Sequence, residues 1–375
     1  MDRRAEITEK TERVASLLDT ENLGGVLLSA QHNFSWLTAG GRNGIDLSRE
    51  PGACSLVVSS DGRRFVLASR IEMARMLAEE LSAEDFEPVE YPWEEEKGSP
   101  TFLLDRARAL LGQPGGALAS DLPAGPGVRT IESALARCRY NLTPPEIERY
   151  RSLGCDAGTA IGALVKTLKP GETEKEVARR AQDALASRDI HGVVILVAAD
   201  ERIRQFRHPV PTDRRWEKVL MVVVCARRGG LIASLSRIVC VGPVPDELAR
   251  RTLACARVDA KLLAATRPGA AGDELYRLAS RSYMEEGFEG EERLHHQGGA
   301  CGYRTRDWVA HPSCDERVQA NQAFAWNPSI TGTKVEETCI AFDDGCQIIT
   351  ASPDWPSIQV TIEGRLYVLP GVLSL

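Results

Sequence analysis

Thr143-Pro144-Pro145-Glu146 places a hydroxyl where a helix is capped, a proline at its first position and a glutamate three residues beyond the cap. This predicts a long amphipathic helix from there to Leu168, where Lys169-Pro170-Gly171 stops it. Thr173-Glu174-Lys175-Glu176 is a second capping box, opening a helix that turns Val177, Ala181 and Leu185 inward. Strands are predicted at 193–198, 219–225 and 231–241. The same order then recurs. A helix begins near Pro245-Asp246-Glu247 and ends at Arg267-Pro268-Gly269. Leu275 lies six residues beyond Gly269, as Val177 lies six beyond Gly171, and Gly192 and Gly287 close the two units. Strand-like runs follow at 323–326, 338–342 and 346–349. A repeat of about 98 residues is too long for a solenoid and implies two α-plus-β halves folded around a shared cleft. That pattern speaks to fold and says nothing of a reaction.

Upstream, the chain has a different texture. Gly25-Val26-Leu27-Leu28, Ser55-Leu56-Val57-Val58 and Arg64-Phe65-Val66-Leu67 read as strands, and Ile71 to about Leu81 as a helix. Pro- and Gly-rich segments fall at 92–100, 112–116 and 122–127. The expected organisation is an α/β protein with a small amino-terminal α/β domain over 1–142 and a second domain over 143–375.

Composition narrows the classes. The 375 residues carry 46 Lys+Arg and 53 Asp+Glu, a net charge of −7, which gives no general attraction to nucleic acid or anionic membrane. No apolar run approaches the 18 or so residues of a membrane span. The start Met1-Asp2-Arg3-Arg4 lacks the apolar core of a signal peptide, so a cytoplasmic location is expected. The ten cysteines are scattered singly without a CxxC pair and read as small buried hydrophobes. Walker, GxGxxG, HExxH and GxSxG motifs are all missing from the sequence.

The strand ending Leu235-Ser236-Arg237, His295-His296-Gln297-Gly298-Gly299, Trp326-Asn327-Pro328 and Val335-Glu336-Glu337-Thr338 follow the two helix pairs in order. Together they resemble the creatinase/aminopeptidase P/prolidase superfamily, with its internally repeated pita-bread fold and creatinase-like amino-terminal domain. Metallopeptidases of that superfamily hold two metal ions with two Asp, one His and two Glu. Carried onto this chain, the five positions fall at Val223, Ser234, Gly299, Asn327 and Glu336. Two divalent ions close together need several anionic oxygens. One carboxylate does not supply them, so no metal and no cofactor are expected.

The resemblance to creatinase, which works without metal through a histidine, points to His208 as acid/base. An imidazole titrates near neutrality and can take and return a proton there. Glu336 is expected to orient a water, bind a cationic substrate or raise the pKa of His208, and its neighbour Glu337 to point the other way. The bland reading pairs Glu336 with Arg237 or Lys334. His295 matches a position that is often catalytic in the superfamily. His296, Tyr303 and Arg304 are candidate walls of the same cleft, and Ser234 and Asn327 candidate neutral hydrogen-bonding groups on substrate. Arg204 and Arg207 flank His208 as carboxylate clamps, and Arg42, in a glycine-rich loop, is a clamp reaching across a homodimer. Cys225, Cys301 and Cys339 are weaker candidates for a thiol nucleophile.

The reading is a metal-independent, creatinase-like hydrolase of a C–N bond in a small carboxylate-bearing substrate. Its rivals are a pita-bread pseudo-peptidase that binds a peptide without cutting it, and a lyase or isomerase of a specialised biosynthetic route using the same cleft.

Overall fold

The computed structural model describes residues 2–112, 117–125 and 127–375. Residues 113–116 and 126, within the Pro- and Gly-rich segments expected at 112–116 and 122–127, lie outside the described residues. The chain divides into one unit of Met1–Arg139 with Thr143–Pro145 and another of Tyr140–Leu142 with Glu146–Leu375.

In the amino-terminal unit, the predicted apolar runs become the strands Leu23–Ala30, Pro51–Ser59 and Arg64–Ser69, at the centre of a six-stranded sheet. Leu27, Val57, Phe65, Leu67 and Tyr91 pack with Leu104 of the helix Phe102–Leu111 on one face. The helix expected from Ile71 to Leu81 is shorter and irregular. It runs from Met73 to Arg75 and then widens into a π turn over Met76–Glu80. The wider turn carries Glu80 inward, where its carboxylate accepts the backbone N–H of Arg42 at 2.8 Å and sits 3.5 Å from Arg75.

In the larger unit, the helix Pro144–Val165 buries Ile147, Tyr150, Leu153, Ala157 and Ile161. A Cβ at Gly154 or Gly158 would run into the carbonyl oxygens of Ile349 or Thr350, so glycine lets this helix lie directly on the 349–352 backbone. The helix ends three residues before the predicted Leu168, which is reached by hydrogen-bonded turns. The capping box at Thr173 forms as its sequence requires: the hydroxyl accepts Glu176 N–H at 3.1 Å and Glu176 accepts Thr173 N–H at 2.7 Å. The helices Asp246–Ala265 and Gly272–Glu285 repeat the pattern.

Two sheets carry the candidate residues. One orders Val372–Ser374, Leu231–Cys240, Val219–Arg228 and His191–Ala199; the other Trp308–Val309, Gly298–Cys301, Gln322–Trp326, Glu337–Phe342 and Gly345–Ile348. Thr338 joins them: its hydroxyl donates to the Ser234 carbonyl at 2.9 Å and accepts the Ser234 N–H at 2.7 Å. Ser236 N–H reaches the Glu336 carbonyl at 3.2 Å, which sets Glu336 against the central hairpin. Among the described residues, no helix is long and apolar enough to cross a membrane.

Candidate active site

His208 follows the short helix Arg202–Gln205 in a proline-flanked loop, pinned where the Pro209 carbonyl accepts Val197 N–H at 3.3 Å. His295 and His296 stand between the 3₁₀ turn Glu291–Arg293 and the strand Gly298–Cys301. The fold brings all three together. His208 and His295 face each other with their Nε2 atoms 3.1 Å apart. The His295 and His296 rings stack at 4.5 Å between centroids. One ring nitrogen from each of the three lies within 4.8 Å of the others. His295 is buried, while His208 and His296 are exposed at the mouth. Behind His295, Nδ1 meets the Ser329 hydroxyl at 3.3 Å, and Ser329 N–H donates to the Tyr283 hydroxyl at 2.8 Å.

Glu336 forms the floor. Its side chain is 3% exposed, 2.8 Å from Lys334 Nζ, 3.7 Å from Arg306 and 2.5 Å from the Ser236 hydroxyl that donates to it. Burial pushes its pKa up, but Lys334, Arg306 and the Ser236 hydrogen bond outweigh that and hold it below the usual carboxylate range. The histidine pKa values are lowered, so the rise offered for His208 does not appear. Desolvation and then Lys334 lower the His208 pKa, and the raising effect of Glu336 does not make up the difference. Desolvation and then Lys334 push His295 down to about 2, and desolvation and then Arg306 push His296 to about 4. All three rings are therefore neutral at neutral pH, so His208 stands ready to accept a proton.

Glu337 does point the other way. It pairs with the fully buried Arg237 at 2.9 Å and accepts the Thr350 hydroxyl. Of the two bland partners for Glu336, Lys334 is the real one and Arg237 belongs to Glu337.

The remaining candidates scatter. Ser234 is on the site-facing side of its strand, its hydroxyl donating to Cys225 Sγ at 3.3 Å. Asn327 is buried, its N–H on the Gln297 carbonyl at 3.0 Å and its Oδ1 without a hydrogen bond. Arg207 is taken up by the Glu291 carboxylate and the Thr331 hydroxyl, and the exposed Arg204 has Glu201 at 3.8 Å. Tyr303 is buried with its hydroxyl donating to Glu146 at 2.7 Å, and Arg304 is exposed. Arg42, in the amino-terminal unit, is exposed, with Glu80 3.5 Å from its guanidinium. Burial raises the thiol pKa of Cys225, Cys301 and Cys339, so none is a ready thiolate. The sequence reading overlooked Arg306. No motif or spacing marked it as the one that turns inward.

The M24 metallopeptidase profile matches residues 149–362. The chain belongs to the M24 metallopeptidase family. Its fold is the family's pita-bread domain preceded by an amino-terminal α/β domain, as the sequence implied. It is similar to the prolidase from Thermococcus sibiricus at TM-score 0.78 and 17% identity, with 100% of each chain covered. The Xaa-Pro dipeptidase from Bacillus anthracis gives 0.75 and 17%, covering 98% of this chain and 100% of that one. The N-terminal domain of FACT complex subunit SPT16 from chickpea (Cicer arietinum) gives 0.71 and 11%, covering 93% and 96%. Identities this low speak to fold alone. No curated protein matches the sequence.

The five positions that the resemblance assigns to metal ligands carry the following groups here. Val223 is buried and apolar, and Ser234 and Asn327 bring neutral oxygens. Gly299 brings no side chain, and even a Cβ there would run into the Trp308 carbonyl of the neighbouring strand. Glu336 is the one carboxylate, and two protein cations already flank it.

Proposed function

We propose that this M24 protein is a hydrolase that cleaves a C–N bond of a small carboxylate-bearing substrate without a two-metal centre. The observation that carries the reading is the exposed His208, its Nε2 3.1 Å from that of His295, within electrostatic reach of the Lys334–Glu336–Arg306 cluster. In this mechanism His208 takes a proton from the attacking water and returns it to the departing nitrogen, with His295 sharing the proton through its facing Nε2. Glu336 holds Lys334 and Arg306 in place. The two cations exceed it by one positive charge, which favours an anionic group on the substrate and steadies negative charge developing on the oxygen or nitrogen doubly bonded to the attacked carbon. Since Arg207 is occupied by Glu291, carboxylate recognition falls to Lys334 and Arg306 before Arg204. The proposal includes a cytoplasmic homodimer in which Arg42 of one chain serves the other's site; a single-chain mass by gel filtration would remove that part.

The test is turnover of a panel of small carboxylate-bearing amides and guanidino compounds before and after exhaustive chelation. Turnover that survives chelation and disappears in His208→Ala supports the reading. Turnover lost on chelation and restored by manganese or cobalt overturns it. No turnover on any member, together with saturable peptide binding, would replace the hydrolase by a binding module.

A further inference from the structure

The three imidazoles offer more than a proton relay. A tetrahedral zinc-type ion with bonds of roughly 2.0–2.1 Å places its nitrogen ligands about 3.4 Å apart. His208 Nε2 and His295 Nε2 already stand at 3.1 Å, and the third ring lies in the same 4.8 Å cluster. Two Nε2 atoms aimed at each other compete for one proton, and a metal ion in that place satisfies both lone pairs at once. His295 is oriented from behind by Ser329, itself held by Tyr283, which is the outer support a metal-binding histidine requires. The residues carrying the other two rings are exposed, and among the described residues no hydrogen bond ties down His296, so the rings have room to close and the ion has a path in. Neutral imidazole is the ligating form.

We propose that His208, His295 and His296 form a mononuclear site for one imidazole-preferring divalent ion of the zinc class, and that its binding switches the site off. The inhibitory half rests on the proposed function, because the ion occupies the nitrogen that His208 needs for proton transfer. An all-imidazole set favours zinc, cobalt, nickel or copper over magnesium, calcium or manganese. Lys334 and Arg306 oppose a dication and only Glu336 offsets them, so the fourth ligand is an anion: hydroxide or a carboxylate. This constellation is separate from the five M24 metal positions, none of which is a histidine here.

The experiment is calorimetric titration of the chelated full-length protein with zinc, alongside the visible absorption of the cobalt-loaded form. One ion per chain is expected, with the visible bands of four-coordinate cobalt. His208→Ala and His296→Ala, both at exposed positions, should each weaken binding by more than the roughly 10–100-fold that losing an outer-shell partner costs. Ser329→Ala should fall in that outer-shell range, and the exposed His311→Ala should bind as wild type. Thermal melts confirm that each variant is folded. No stoichiometric ion, or one indifferent to His208→Ala and His296→Ala, overturns the site. Two ions per chain, lost in Glu336→Gln, overturn both the site and the metal-free reading. A histidine-dependent ion that suppresses turnover supports both. A histidine-dependent ion that turnover requires supports the site and overturns its inhibitory role along with the metal-free reading.

Discussion

Glu336 and Glu337 are adjacent in the chain and equally buried at 3% side-chain exposure, yet they live in opposite electrostatic worlds. On the site face, Glu336 meets two cations, Lys334 and Arg306, and its pKa is lowered despite burial. On the core face, Glu337 has one cation, Arg237, and shares the neighbourhood with Asp259, both of whose oxygens lack a hydrogen-bond partner. There burial raises the pKa of both acids, and each raises the other's or is raised by Glu336. Cations thus outnumber carboxylates around Glu336, whereas around Glu337 carboxyls outnumber cations and burial favours their neutral form. Depth of burial does not separate the two faces; the ratio of cations to carboxylates does.

The largest effect should come from breaking the site-face cluster. Glu336→Gln leaves Lys334 as a buried cation with no carboxylate, and breaking a buried pair from one side costs roughly 3–5 kcal/mol. Turnover should be abolished as well. Adding Lys334→Met to Glu336→Gln should recover part of the stability and none of the turnover, which denaturant titration and activity read separately. Glu337→Gln should cost less, because Arg237 keeps its hydrogen bonds to the Ser352 hydroxyl and the Ser236 and Thr350 carbonyls. Equal losses in the two single variants would break the comparison.

Acid and base should act oppositely on the two faces. Glu336 has its folded pKa depressed, so its stabilising contribution is present above the ordinary value of 4.5 and is lost as pH falls below it. Glu337 and Asp259 have theirs raised. The folded chain keeps protons that the unfolded chain releases above 4.5 and 3.8, so their contribution is lost as pH rises from those values. Asp259→Asn removes one of these protons from the balance. It should stabilise the protein at pH 7 and leave it nearly unchanged near pH 4. A gain that is the same at both pH values would show that Asp259 is ionised in the fold, and the core face would no longer differ from the site face.

The sequence exposed the parts of this arrangement that rest on local signals. Caps, breakers and apolar runs marked the helices and strands of both halves because the physics of a capping box or a helix stop acts within a few residues. The gathering of His208, His295 and Glu336 was legible only through family resemblance, since the three come from separate elements of the repeat. Arg306 and the direction of the histidine shifts were not legible at all. An arginine two residues past Arg304 looks like any surface cation, and whether it faces a carboxylate depends on how the 302–308 segment turns. Likewise Arg207 beside His208 has the right chemistry for a clamp, but the distant Glu291 had already claimed it. A rise in the His208 pKa from Glu336 does not appear, because desolvation first and Lys334 second lower it by more than Glu336 raises it, and neither the burial nor the nearby cation was visible in the sequence.

The smallest effect tests how open the site face is. Cys225 sits there beneath Ser234, and Cys339 lies buried on its own strand; burial raises both thiols. Cys155 alone among the ten is exposed. Iodoacetamide at neutral pH should therefore label Cys155 first, with mass spectrometry finding Cys225 and Cys339 unmodified while the protein stays folded, and turnover should not change. The same experiment measures the depth of the mouth. Labelling of Cys225 before Cys339, with loss of activity blocked by a bound carboxylate, would mean that solvent and reagent pass the histidines and reach the Glu336 floor. The surplus of positive charge would then face water, not a closed cavity, and salt would weaken substrate binding strongly. If neither cysteine reacts, the Lys334–Glu336–Arg306 cluster is a dry floor, and its one unbalanced charge acts on the substrate at close to full strength.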